Sequence, residues 1–261
     1  MSRFCSTSVL GAFFLRELRA ASVGRFIHVF WGLALVGGLV PVIFETHGGE
    51  SHLLLQWCLY ILPLFALLAG IGSAQNEAEE ETLLLSQPIG SLRRVVDKFL
   101  ALWLIVAVAV VPLILPSLVQ GGQRDSLVFL ALHATAVGGI FSALGLAIGF
   151  STQDRLKAYL AGLCMWLFLL VGFGLIALAA ARGGFAKTSP QLWIALLMVN
   201  PLDAMRVGAL LNFGKIPFDL SVAPPLGRWW LENPIRWYAI LAAVWMTVSV
   251  LWAAWRIERR R

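Results

Sequence analysis

Ser73 to Lys98 reads SAQNEAEEETLLLSQPIGSLRRVVDK and lies between two long apolar runs. It opens with carboxylates at Glu77, Glu79, Glu80 and Glu81, breaks at Pro88-Ile89-Gly90, and restarts at Ser91. After the restart, Leu92, Val95, Val96, Phe99 and Leu100 recur at the spacing of one helical face, with Arg93, Arg94, Asp97 and Lys98 on the other. Ser91 has the side chain of an N-cap, and the acids suit the start of the preceding helix through its dipole. The expectation is a helix–break–helix element pinned at a membrane surface, with its polar side turned to water or to a partner.

Working outward, the flanks decide whether there is a membrane at all. The chain has 261 residues, 59% hydrophobic and 13% charged, with a mean hydropathy of +0.83. A soluble domain carries roughly 25% charged residues, so a water-soluble fold is excluded. The apolar residues come in separated blocks of about 20, the length of a helix crossing the hydrocarbon core. An outer-membrane barrel needs many short alternating strands, and the sequence has none. The fold class is therefore an all-α polytopic membrane protein in a single unit, residues 1–261. The formal net charge of +6 follows from cations retained on the cytoplasmic side and is not the footprint of a nucleic-acid partner. Cys5, Cys58 and Cys164 form no CxxC pattern and read as small hydrophobes. The N-terminus is not expected to be a cleavable signal, because Arg16-Glu17 interrupts it before any long apolar core.

Residues 8–25 place Leu10, Phe14, Leu18 and Ala21 on one stripe, a helix expected to lie in the interface. Six spans follow at 26–44, 53–72, 99–119, 127–150, 158–181 and 237–255. Four arginines precede the first span and none occurs in the loop after it, which puts the N-terminus in the cytoplasm. The terminal RIERRR anchors the other end on the same side. The 73–98 segment is then cytoplasmic. Pro112 and Pro116 are expected to kink the third span. Gly138, Ser142, Gly145 and Gly149 make a small-residue track that permits close helix approach, within the chain or to a second copy. Residues 182–235 form an outer segment. Its stretch around Asn200-Pro201 is too short to span, and a re-entrant or interfacial helical pair fits it better. Trp193, Trp229, Trp230 and Trp237 suit an aromatic belt.

No chemistry of the chain's own emerges. Gly208-ALLNF-Gly214-Lys215-Ile216 has one residue too many for a phosphate loop and Ile where Ser or Thr should hold magnesium. Glu45, His47, Glu50 and His52 share one loop but read better as solvated polars than as metal ligands. Met198 and Met205 read as core, and His28 and His133 as interfacial. The spans hold almost no ionisable groups, which disfavours an ion-driven carrier. Energy for any transport must enter from another chain, through the polar element.

Four features coincide: Leu15-Arg16-Glu17-Leu18 before the first span, acids followed by Thr82-Leu83-Leu84-Leu85-Ser86-Gln87-Pro88 and Lys98-Phe99 after the second, six spans, and Asn200-Pro201-Leu202-Asp203…Arg206 before the last. Together they resemble the ABC-2 type permease subunits, and within them the permeases that serve maturation of nitrous oxide reductase and other multicopper enzymes. The family's usual Gly-Thr after the acids is missing here. The resemblance implies a homodimer in the bacterial inner membrane, each copy bound by a cytosolic ABC ATPase that holds ATP and magnesium. This chain itself would hold no cofactor and catalyse nothing. Glu77 to Pro88, with Arg93 and Arg94, would be the ATPase-coupling segment. Asn200, Pro201, Asp203 and Arg206 would be an outer structural or partner-contact motif, with simple helix capping by Asn200 and Asp203 as the alternative. A periplasmic β-helical accessory protein would sit on 182–235. Cargo stays open between a sulfur or copper species, a lipid, and none. The rivals are a lipid or drug exporter of the same fold and a motor-free scaffold.

Overall fold

The computed structural model describes residues 14–44, 50–79, 90–184, 188–213 and 225–259. All regular structure among them is helical. A short α1, Phe14–Ser22, meets α2, Arg25–Ile43, at a bend of 65°. Helix α3 runs as Glu50–Gln56, a π turn at Trp57–Ile61, and Leu62–Glu79. It is followed by α4, Ser91–Val119, and α5, Arg124–Ser151. Helix α6 is Arg155–Leu167, a π turn at Phe168–Gly172, and Phe173–Arg182. Two shorter helices, α7 (Pro190–Val199) and α8 (Pro201–Asn212), meet at 103°. Helix α9, Pro225–Glu232, leads into α10, Pro234–Glu258. Five of these helices are long and apolar enough to cross a membrane, or up to seven if each bent pair is one span.

Helix α5 is the axis of the bundle. Its most apolar stretch is 72% buried, against 11% for α6. The small-residue track explains why. A Cβ on Gly145 would collide with the Leu67 carbonyl oxygen of α3, and one on Gly70 would lie 2.5 Å from the Ser142 carbonyl oxygen. Gly149 faces Ala74 and Ile71 of α3, while Gly138 faces Val106 of α4. The track therefore packs inside the chain, which settles the choice left open above. Close backbone approach also lets Cα–H groups meet carbonyls, a contact larger side chains would prevent.

Helix α4 continues through Pro112 and Pro116. Proline has no N–H, so Pro116 leaves the Pro112 carbonyl without its helical donor. Gly38 of α2 packs on that oxygen, where a Cβ would collide with it. Its neighbour Gly37 receives the Trp57 indole of the α3 π turn. His133 departs from the interfacial expectation. It is buried, its Nδ1 lies 2.8 Å from the Phe129 carbonyl oxygen, and it stacks between the Phe129 and Tyr238 rings. Met198 and Met205 sit in the same core.

Candidate functional site

The arginine-rich end of the bundle carries a buried ionic network. Glu77, in the last turn of α3, holds Arg94 Nη2 of α4 at 2.9 Å through Oε1 and faces Lys98 Nζ at 3.3 Å through Oε2. Lys98 donates to Glu17 Oε2 of α1 at 2.6 Å. All four side chains are no more than 8% exposed. Beside them Arg93 Nε donates to Asp97 Oδ2 at 2.7 Å, with Arg93 half-exposed. Ser91 Oγ donates to Glu258 Oε1 of α10 at 2.6 Å. Gln75 Nε2 donates to the Gly149 and Thr152 carbonyls at the end of α5, at 2.8 and 2.9 Å.

The network corrects the sequence expectation in several ways. The restart at Ser91 is no separate surface helix; it is the first turns of a single helix that runs to Val119. Gly90, not Ser91, occupies the N-cap, and Ser91 is spent on Glu258. Glu77 and Glu79 stand at the C-terminal end of α3 rather than at the start of a helix. The polar side of α4 also fails to meet water as a unit: Arg94, Asp97 and Lys98 are buried, whereas Leu92 is 46% exposed. A helical wheel pairs apolar residues with the interior, but here α1 brings an acid that reverses the preference. Glu17 lies off the apolar stripe of the N-terminal helix, yet it is buried. Its signal in the sequence is that it stands as the only acid in the first 44 residues, amid arginines.

Glu77 and Arg94 are badly placed for their own helix dipoles, an anion in the last turn of α3 and a cation in the first turn of α4. Mutual pairing offsets this, and the neutral total of two cations and two carboxylates lets the group stay buried. Removing one partner of such a pair costs about 3–5 kcal/mol, because the other is left as an unpaired buried charge. Arg94 Nε and Glu77 Oε2 lack an aligned hydrogen bond among the described residues, so the network is not locked at every atom. A cavity of about 470 Å³ adjoins it, lined by Arg16, Ser73, Asn76, Lys98, Arg155 and Tyr159 among others. Of the expected coupling residues, Glu80, Glu81, Thr82, Leu83, Leu84, Leu85, Ser86, Gln87 and Pro88 lie outside the described residues.

The Asn200 motif is inward-facing. Asn200 is fully buried. Its Oδ1 accepts from Leu202 N at 3.2 Å, capping α8, and its Nδ2 donates to Asp203 Oδ2 and to the Leu169 carbonyl, both at 2.7 Å. Leu169 belongs to the α6 π turn, whose wider loop frees a carbonyl for an outside donor. Asp203 also pairs with Arg206 at 3.3 Å. Pro201, the first residue of α8, is buried, and its carbonyl accepts from Tyr238 Oη at 3.1 Å. Trp245 of α10 reaches the Val199 carbonyl at 3.1 Å, and Leu169 lies near the middle of α6. The apex of the α7–α8 bend thus packs at mid-bundle depth, against the middle of α6 and of α10. Asn200 and Asp203 hold this bend together; Arg206, 35% exposed, keeps a surface.

A family model described as "ABC-2 family transporter protein" matches residues 10–260. The chain belongs to the ABC-2 transporter family. Two relatives bear the name "Probable ABC transporter permease protein NosY". The one from Stutzerimonas stutzeri is 29% identical over 217 residues, covering 77% of this chain and 76% of its own. The one from Pseudomonas aeruginosa is 27% identical over 206 residues, covering 74% and 71%. In this ABC-2 protein, the ionic network sits on the two helix ends that flank the segment expected to couple to a partner.

Proposed function

We propose that the chain is the membrane-spanning permease subunit of an ABC transporter, driven by a separate cytosolic ATPase that binds ATP and magnesium. The observation that carries this reading is the ionic network. It fastens both ends of the 80–89 segment, at Glu77 and at Arg94, to each other and through Lys98 to Glu17 of α1. A push on that segment moves α3, α4 and α1 together. The adjoining cavity gives the α1–α2 elbow room to shift without opening the apolar core. Arg16, Arg19, Arg93, Arg155, Lys157, Arg256 and Arg259 cluster at this end as well, which supports a cytoplasmic placement of it and of both termini in a bacterial inner membrane.

In the fuller reading, six spans and the α7–α8 hairpin form one half of a homodimer. The α7–α8 side faces a periplasmic accessory protein, and the complex serves maturation of a copper enzyme, the role that the resemblance in sequence implies. Affinity purification of the tagged chain from its native membranes tests the core of this. A stoichiometric nucleotide-binding chain and ATP hydrolysis should accompany it, and both should fall away in the triple variant E79K/E80K/E81K while thermal unfolding is unchanged. A chain present at normal membrane levels that brings neither partner nor ATP hydrolysis overturns the reading. Copper content of a multicopper enzyme isolated from a strain lacking the chain tests the pathway: it should be depleted.

A further inference from the structure

A second groove, about 520 Å³, opens at the same end between the α5–α6 turn and the last turns of α10. Its walls bring Lys157, Arg256 and Arg259 together against one carboxylate, Asp154. That carboxylate is already engaged. It accepts from the Leu156 and Lys157 backbone N–H groups at 2.9 and 3.3 Å, capping α6, and lies 3.6 Å from the Lys157 ammonium. The nearby Glu258 is turned away onto Ser91. The groove is left with an excess of positive charge.

Its two arginines are held rather than trailing. Arg256 Nη2 donates to the Ser151 carbonyl at 2.8 Å, while its Nε is buried with no acceptor among the described residues. The Arg259 guanidinium lies 4.0 Å over the Trp255 ring. Trp252 Nε1 donates to Ser151 Oγ at 3.0 Å, and the two indoles stand 5.0 Å apart. Trp252 is 50% and Leu156 77% exposed. An anion site is thus flanked by indoles of the kind that settle at the headgroup level, and by apolar surface.

We propose that this groove holds the phosphate of an anionic phospholipid from the adjoining leaflet, on Lys157, Arg256 and Arg259, with its glycerol and first acyl carbons against Trp252 and Leu156. The apolar flank selects a lipid over a free phosphate ion. The site is independent of whether an ATPase binds the chain.

Native mass spectrometry of the intact chain, released from mixed phosphatidylglycerol–phosphatidylcholine nanodiscs, measures the preference directly. Wild type should retain phosphatidylglycerol over phosphatidylcholine. K157Q/R259Q, both exposed and free of core contacts, should lower that ratio about tenfold or more, whereas R236Q at the opposite end should not. Millimolar inorganic phosphate should leave the ratio unchanged. Equal retention in K157Q/R259Q overturns the proposal. Displacement by inorganic phosphate reassigns the groove to a free anion and overturns the lipid. Unchanged lipid retention with loss of a bound cytosolic protein assigns the cations to that protein and overturns it too.

Discussion

Lys98 has carboxylates on two sides, Glu17 at 2.6 Å and Glu77 at 3.3 Å. K98M removes the cation paired with Glu17, while Glu77 keeps Arg94. Loss of about 3–5 kcal/mol is expected, read as a lower unfolding midpoint in detergent. Adding E17Q should return part of that loss, since the stranded charge is then gone. A double variant no better than K98M alone would show that Glu17 is not the partner that matters. Asn200 makes a second test at this scale. N200A orphans the Leu169 carbonyl and the Leu202 N–H, each worth about 1–3 kcal/mol when left unsatisfied. N200D keeps the acceptor but puts a carboxylate against Asp203 and the Leu169 carbonyl, so N200D should unfold below N200A. None of these pairings could be read along the chain. Glu17 and Lys98 are 81 residues apart, and periodicity sorts residues by face without saying what covers each face. Asn200 was legible as a cap because capping is local; its bond to Leu169 depends on a π turn that leaves no mark in composition.

The elements were the more legible level, because blocks of about 20 apolar residues have few fates. What the blocks conceal is how the helices fit. Gly145 shows the fit most sharply, pressed on the Leu67 carbonyl. G145A should force α3 and α5 apart and lower stability by about 1–3 kcal/mol. Gly174 of α6 has nothing within 4 Å of a built Cβ, so G174A should not lower the midpoint, and together the two separate packing from helix propensity. Helix α6 also begins with a titrating cap. The Asp154 carboxyl is held below its usual range, first by the Lys157 backbone N–H and then also by that of Leu156. A depressed folded-state pKa means that its contribution is present above the unfolded value, near 3.8, and fades as pH falls through the folded one. D154N retains capping ability but should lose that acid-side dependence, measured as the slope of the unfolding midpoint against pH below about 4.

At the scale of the whole molecule, α6 is the misfit. It is held on one side, where Gly162 meets Ile71, yet its most apolar stretch is only 11% buried. Leu160 and Leu167 are 60% and 45% exposed, and Cys164 lies between them, free and exposed. The sequence shows α6 as one more apolar block, since burial by neighbours depends on where the other helices go. Its open face is where the proposed homodimer would close, with α5, already 72% buried, as the fixed axis of each half. Cys164 makes this testable with a native side chain. In a C5S background, mild oxidation of intact membranes should give a disulfide-linked dimer, abolished by C164S and unaffected by C58S, whose thiol is buried in the core. Because the bond needs Cα atoms within about 7 Å, its formation would place the two α6 helices side by side along their Leu160–Leu167 faces. Persistent monomer under oxidation would instead assign that face to lipid and move any dimer contact to another helix.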